Sequence, residues 1–375
     1  MKILVTGFTA NYGGVENFIM NYYRVMKQLD HSVVIDIMST AEKPAFHDEL
    51  EKMGGKVWKI PRNRYKWKQK NVIRSILQSS EEQYDVFWCN KCELADITYL
   101  KVAKKCDIKV RILHSHNSNN MYTGFRKYGV QLLHEFNKRN VKRFATDYWA
   151  CSDYAANWMF MEDIIGTNNY KFVPNAVDIK RFQYNENIRD EYRKKLNVED
   201  KLVIGTVGRF NYQKNPEFIL ETFREIYKIN SNAVLLWIGV GELQDKIKQL
   251  VIQYNLENVV FFLGIRQDVN YLMQAMDCFL LPSRFEGLPV VAVESQIAGL
   301  PTFISREGIS EQVKFTEYIY RLSLKDPIED WAKCILKNCK VDRKNNYNKD
   351  HRFDINMEAK KVLGKMNHLV SNQKK

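Results

Sequence analysis

A chain of 375 residues with 45% hydrophobic and 13% aromatic side chains is long enough for two domains, each with its own core, and too apolar for a disordered chain. Its 57 basic residues against 44 acidic ones give a formal charge of +13, which calls for an anionic partner: nucleic acid, an acidic membrane surface or phosphorylated substrates. Seven scattered cysteines argue against a disulfide framework and for a reducing interior, and no apolar run reaches the ~18 residues of a membrane span.

Lys2 to Thr6 predicts an opening strand rather than a cleaved leader. A turn with Gly7, Asn11, Gly13 and Gly14 follows, then an amphipathic helix from about Val15 to Leu29 and a second strand over Ser32 to Met38. This is how a Rossmann-like sheet begins, although the incomplete GxGxxG argues against a nicotinamide dinucleotide. Gly13 and Gly14 let a ligand approach the backbone in front of a helix N-terminus; the plainer reading is a flexible turn.

Lys56 to Ile60 predicts a third strand, and a basic run follows in which Arg62, Arg64, Lys66, Lys68 and Lys70 alternate with Tyr65 and Trp67. Such a run is a solvated charged loop, a lipid-headgroup contact or a stacking platform for bases. Tyr84 to Cys89 and Lys109 to His114 are further strands. Cys89 and Cys92 form a lone CxxC with no second pair at metal-ligand spacing, which reads as strand-end packing. His114 and His116 have strand spacing in the polar loop HSHNSNN, so the pair, with Asn117, is a candidate site at a sheet edge. Residues 125 to 144 predict a basic helix, and Tyr148 to Ser152 closes the first sheet.

Ile179 to Asp200 reads as a polar linker with one short helix. Leu202 to Val207 opens a second sheet and leads to Arg209 and Lys214, two cations around a strand-to-helix loop, where they can compensate a diphosphate. A helix over about Glu217 to Tyr227 follows, and the strand Ala233 to Ile238 ends in GVGE, where Gly239 and Gly241 permit close ligand approach. Val259 to Leu263 is a strand before Ile265, and Asp268 to Met276 a short helix. Thr302 to Ser305 is one more strand, and the tail holds helical patterns over Pro327 to Asn338 and Asp354 to Asn372.

The most informative stretch is PSRFEGLPVVAVESQIAGLP, Pro282 to Pro301. The strand Met276 to Leu281 precedes it, and a helix is predicted from Leu288 to Ala298 with Pro289 in its first turn. The free N–H groups of Gly287, Leu288 and Val290 would then offer an anion site. Glu286 and Glu294 would repel a phosphate, so they address hydroxyls. On a regular helix eight residues separate them by up to ~12 Å, enough to flank the diphosphate of a nucleotide-sugar. The bland alternative is two glutamates on a surface helix, but Glu294 lies among Val290, Val291, Val293 and Ile297, where a covered carboxylate needs partners.

The spacing of Glu286 and Glu294 within FEGLPVVAVE, with AGLP behind it, resembles the signature of the family 4 retaining glycosyltransferases. VGRFNYQKNP and the GGVE of Gly13 to Glu16 are two further matches. The resemblance implies the α/β GT-B fold, two Rossmann-like domains facing each other across a cleft. The first would bind the acceptor (1–178) and the second the nucleotide-sugar (179–350), with a last helix (351–375) crossing back. Lys171 to Asp178 resembles the segment that passes between the domains.

The resemblance also implies roles. Gly13 and Gly14 contact the donor diphosphate, His116 the transferred sugar or acceptor, and backbone near Ile265 the base. Glu286 holds sugar hydroxyls and Glu294 the ribose. No DxD-like pair occurs at a suitable loop, so no metal or other cofactor is expected, and Arg209, Lys214 and the helix tip at Leu288 take the cation's part. FEGLP variants are familiar in capsule and exopolysaccharide assembly, which implies a UDP-sugar donor and a lipid-linked acceptor. Arg62 to Lys70 would meet an anionic membrane surface or the acceptor, at the cytoplasmic face. A nucleotide-sugar epimerase and a basic nucleic-acid-binding protein are the rival readings.

Overall fold

The computed structural model describes residues 1–62, 65–79, 83–122, 124–345 and 351–373. The chain forms two compact units, Met1–Ala176 with His351–Lys375, and Val177–Asp350.

The first unit contains β1 (Lys2–Phe8), α1 (Gly14–Leu29), β2 (Val34–Ser39), α2 (His47–Lys52), β3 (Val57–Lys59), α3 (Lys66–Leu77), β4 (Val86–Lys91), α4 (Thr98–Lys105), β5 (Val110–Ser115), α5 (Phe125–Asn140), β6 (Asp147–Ala150), α6 (Asp153–Met159), α7 (Glu162–Ile165) and β7 (Tyr170–Phe172). Its strands pair in parallel in the order β3-β2-β1-β4-β5-β6-β7. The order reverses between β1 and β4. Sheets of this kind take their ligands at the carboxyl ends of the strands beside such a reversal.

The second unit contains α8 (Ile179–Phe182), α9 (Glu186–Lys195), β8 (Leu202–Val207), α10 (Pro216–Ile229), β9 (Ala233–Ile238), α11 (Gln244–Gln253), β10 (Val260–Gly264), α12 (Val269–Ala275), β11 (Cys278–Leu281), α13 (Val290–Ile297), β12 (Thr302–Ser305), β13 (Ile319–Leu322) and α14 (Ile328–Asn338). Its parallel order is β10-β9-β8-β11-β12-β13, with the reversal between β8 and β11. Helices cover both faces of such sheets, so the central strands read as continuous apolar runs: AVLLWI in β9 is buried along its whole length.

The last helix, α15 (Ile355–Asn372), starts on Asp354, whose side chain accepts from the Asn356 N–H at 2.9 Å. Ile355, Ala359, Val362, Leu363 and Met366 enter the first unit's core beside Phe18 and Tyr22 of α1. Its burial there joins the chain's last segment to its first helix. No described helix is long and apolar enough to cross a membrane.

Several elements differ from the sequence reading. The first sheet does not close at Ser152, because β7 pairs beyond β6; YKF is short, polar in the middle and only partly buried, so it carries no strand signal. The polar stretch after Ile179 holds two helices, α8 and α9, where one was expected. The basic run lies on α3: Gln69, Ile73, Ile76 and Leu77 face inward while Lys66, Trp67, Lys68 and Lys70 are exposed. Arg62 precedes the helix, and Arg64 lies outside the described residues.

Candidate active site

The loops leaving β8 and β11 meet at the strand-order reversal of the second unit, and hydrogen bonds join them. The Arg284 N–H donates to the Gln213 carbonyl at 2.8 Å, and Arg284 Nη1 to the Tyr212 carbonyl at 2.9 Å. Asn215 Nδ2 donates to the Pro282 carbonyl, and Gln213 Nε2 to the Phe285 carbonyl at 3.0 Å and to Glu286 Oε2 at 3.3 Å. Asn215 sits in the left-handed region at φ 57, which Asn tolerates, and Pro216 then starts α10 with its φ already set for a helix.

A third segment supports the pair from the other side. The Glu286 N–H donates to the Gly308 carbonyl at 2.7 Å, and Ser305 Oγ donates to the Ser283 carbonyl. A Cβ on Gly308 would lie 2.0 Å from the Ser283 carbonyl oxygen, so only glycine allows this approach. The outcome is that Lys214 Nζ stands 2.7 Å from Glu286 Oε1, both side chains largely out of water. Arg209, by contrast, is exposed and its side chain has no partner among the described residues. The loop therefore presents one free cation and one that is already compensated.

Loop packing constrains two of the glycines, and the helix after Glu286 starts later than expected. Gly239 and Gly241 are small because of packing between loops: a Cβ on Gly239 would meet the Gly208 carbonyl oxygen at 2.0 Å, and one on Gly241 the Phe210 backbone at 2.6 Å. The close packing of these two loop segments admits no side chain at either position. The helix after Glu286 begins at Val290 with Pro289 as its N-cap, so Gly287 and Leu288 precede it, and both already have interaction partners.

Glu294 lies in the middle of α13, partly open to solvent, with no side-chain hydrogen bond among the described residues. Burial pushes its carboxyl up to about 7, against the pull of the Arg181 guanidinium on α8. Arg181 and Ile265 line a cavity of about 610 Å³ with Arg266, Asp268 and Tyr271. Ile265 is exposed there. Asp268 accepts from both Arg266 Nε and Nη2, at 2.8 and 2.6 Å, and this pairing holds its carboxyl below the usual range. Arg181 was not singled out from sequence; it was one basic residue in a stretch read as linker.

In the first unit, His116 follows β5 and its Nε2 lies 2.7 Å from Asn90 Oδ1 at the end of β4. Oδ1 only accepts, so Nε2 carries the proton. The His114 and His116 rings are 4.2 Å apart and Phe18 packs edge-on to both. Desolvation pushes His116 down to about 3, and His114 also falls well below its ordinary value. His116 is therefore a neutral hydrogen-bonding group. Asn117 is buried and its Nδ2 donates to the Asn119 carbonyl, a loop-shaping role.

Glu16 ties its own loop, accepting from the Thr9 N–H at 2.9 Å and from Thr9 Oγ1 at 2.6 Å, and a Cβ on Gly13 would meet its carboxylate. Gly14 faces open space. Among the described residues no cluster of three His, Cys, Asp or Glu side chains gathers as metal ligands, and the cysteines are free.

Two parallel sheets, each with a strand-order reversal, and paired loops bearing Arg209, Lys214 and Glu286 at one reversal define the two-domain GT-B fold class. The family described as glycosyl transferases group 1 matches residues 188–349. EpsF of Bacillus subtilis (strain 168), which bears the name of a glycosyltransferase, is 30% identical over 363 residues, covering 94% of this chain and 92% of EpsF. The chain belongs to the family 4 glycosyltransferases and is a transferase enzyme.

An Escherichia coli enzyme named UDP-Gal:alpha-D-GlcNAc-diphosphoundecaprenol alpha-1,3-galactosyltransferase is 34% identical over 137 residues, 36% of this chain and 35% of that one. Among solved structures, Anabaena HepE in complex with UDP and glucose superposes with a TM-score of 0.79 at 18% identity, covering 98% of this chain and all of the other. WaaG, a glycosyltransferase of lipopolysaccharide biosynthesis, superposes with a TM-score of 0.63 at 15% identity, covering 100% of this chain and 98% of WaaG.

Proposed function

We propose that the enzyme moves a sugar from a UDP-sugar to a hydroxyl of a lipid-linked saccharide during assembly of a bacterial capsule or exopolysaccharide, with retention at the anomeric carbon and without a metal. The observation that carries this reading is the Lys214–Glu286 pair at 2.7 Å, with exposed Arg209 on the same loop as Lys214 and without a side-chain partner among the described residues, at the strand-order reversal where α/β sheets take their ligands. Arg209 and Lys214 are the cations a diphosphate needs. When it arrives, Lys214 turns to it and Glu286 is released to accept hydrogen bonds from sugar hydroxyls.

In the reaction the bond from the anomeric carbon to the phosphate oxygen breaks and a glycosidic bond forms to the acceptor oxygen. The acceptor's proton passes to the departing phosphate on the same face. The two cations stabilise the negative charge that develops on the leaving diphosphate. Glu294, with Arg181 and the cavity beside Ile265, is suited to the ribose and base. His116, neutral and oriented by Asn90, is placed in this reading against the transferred sugar or acceptor. The first unit supplies the acceptor surface, and the enzyme works at the cytoplasmic face of the membrane.

HepE complexes with UDP and with UDP-glucose support the donor class, and the E. coli galactosyltransferase's named substrate supports a diphosphate-lipid acceptor. The test is a panel of UDP- and GDP-sugars, first by thermal shift and then with a polyprenyl-diphosphate sugar as acceptor, reading nucleotide release and the anomeric proton coupling of the product. An inverted product defeats retention. Conversion of a UDP-sugar to a free epimer in the absence of acceptor would overturn transfer in favour of epimerisation.

A further inference from the structure

Helix α5 is inside out. It buries only two side chains, His134 and Asn137, both polar. His134 Nδ1 accepts from the Leu94 N–H at 3.0 Å and its ring stacks on Trp158 at 3.8 Å, while Asn137 Nδ2 donates to the Leu94 carbonyl at 2.7 Å. Its apolar side chains face away from the protein. Phe125 is 96% exposed, Tyr128 70%, Leu132 74% and Phe136 64%, and Leu133 borders them at 52%. At 100° per residue, positions 125, 128, 132 and 136 form a single stripe opposite the two buried residues. Scattered surface apolar residues need no explanation, but a continuous stripe along a whole helix marks an interaction surface.

The charge around the stripe says what covers it. Arg126 and Arg139 flank the stripe against one carboxylate, Glu135, while Lys127 and Lys138 stand on the other side of α5, where Lys138 Nζ donates to the Asn157 carbonyl at 2.6 Å. A second aromatic and basic surface lies nearby. The loop after β4 that holds α5 through Leu94 runs on into α4, and α4 packs against α3. From the start of α3 project Lys66, Trp67 and Lys68, with Trp67 72% exposed. A second copy of this chain would bring like charges together over the stripe, whereas an anionic bilayer satisfies both features: apolar and aromatic groups enter the acyl boundary and cations meet lipid phosphates.

We propose that α5, seconded by the first turn of α3, docks the enzyme on an anionic lipid surface by lying in the plane of the interface. This deepens the membrane-surface part of the reading above, assigns the docking element chiefly to α5, and leaves Arg62 to Lys70 a supporting role.

The experiment is co-sedimentation of the full chain with vesicles of phosphatidylglycerol and phosphatidylcholine, against vesicles of phosphatidylcholine alone, for the wild type and the double variant Leu132→Glu, Phe136→Glu. Binding to the anionic vesicles is expected, weakening as salt rises and falling at least ~10-fold in the variant. The variant's circular dichroism and its thermal shift with UDP should be unchanged, because the stripe is not part of the donor site. No wild-type binding to anionic vesicles, or equal binding by the variant, overturns the proposal. So does a wild-type dimer in ultracentrifugation that the variant dissociates while vesicles are ignored. If vesicles bind but no nucleotide does, the transferase reading fails and this inference stands.

Discussion

Lys214 Nζ and Glu286 Oε1 stand 2.7 Å apart, although their residues come from loops leaving different strands of the second sheet. With side-chain exposures of 16% and 9%, the two charges are each other's main compensation. Removing one partner of such a pair costs ~3–5 kcal/mol, while removing both costs far less. Lys214→Ala should therefore lower the urea midpoint more than Lys214→Ala combined with Glu286→Gln, and all of these variants should lose transferase activity. Additive losses in the double-mutant cycle would mean that the pair is not coupled.

Arg209 is exposed and has no side-chain partner among the described residues, so it can turn to a ligand and contributes little to the fold. Arg209→Ala should change stability by no more than ~0.5 kcal/mol. It should weaken UDP binding by ~10- to 100-fold, the loss of a charge-assisted hydrogen bond to the diphosphate. Calorimetric titration with UDP checks this, and an unchanged dissociation constant would remove Arg209 from the donor site.

Glu294 has its carboxyl raised from 4.5 to about 7 by burial, so folding favours its neutral form. That contribution is fully present below the unfolded value and is lost as pH rises through about 7, an effect of at most ~3 kcal/mol. Glu294→Gln should melt higher than the wild type at pH 8 to 9 and about level with it near pH 4, with UDP-sugar bound more weakly. Parallel melting curves for the two proteins across this range would contradict the assignment.

His116 is held down to about 3 by desolvation, so it stays neutral throughout the working range. Its depressed value adds stability above the unfolded value near 6.5, and that stability is lost as pH falls toward the folded one. His116→Asn should reduce kcat yet leave the shape of the pH–rate profile between pH 5.5 and 8 unchanged, and it should lessen acid sensitivity of the fold. A limb near pH 6.5 that disappears in the variant would show that the imidazole titrates during turnover.

Arg343 is a buried cation that donates to the carbonyls of Ala298, Gln274, Met276 and Met273 at 2.6 to 3.2 Å, and stacks on Tyr184. It thereby satisfies the carboxyl ends of α12 and α13. Burial lowers its own basicity to about 9. Arg343→Ala orphans these carbonyls and should cost ~3 kcal/mol or more in urea unfolding. Arg343→Lys should recover little, since one ammonium cannot span the fork. Rescue by lysine would show that charge rather than geometry is what the site needs.

The strand and helix alternation, the loop motifs around Arg209, Lys214 and Glu286, and the apolar runs of the central strands were legible in the linear chain because each is local. Buried parallel strands are continuously apolar, and a strand-to-helix loop of this kind is a short run of small, polar and basic residues. Short edge strands such as β7 and β13 were not, since partners rather than composition make them strands.

The partnerships waited for three dimensions. That Lys214 faces Glu286, that Gly239 yields to the Gly208 carbonyl, that Arg181 stands by Glu294, and that α5 turns its apolar stripe outward are contacts between segments distant in sequence. Periodicity shows that a helix has an apolar face, but only the packing of its neighbours decides which face the protein keeps and which it offers to a partner.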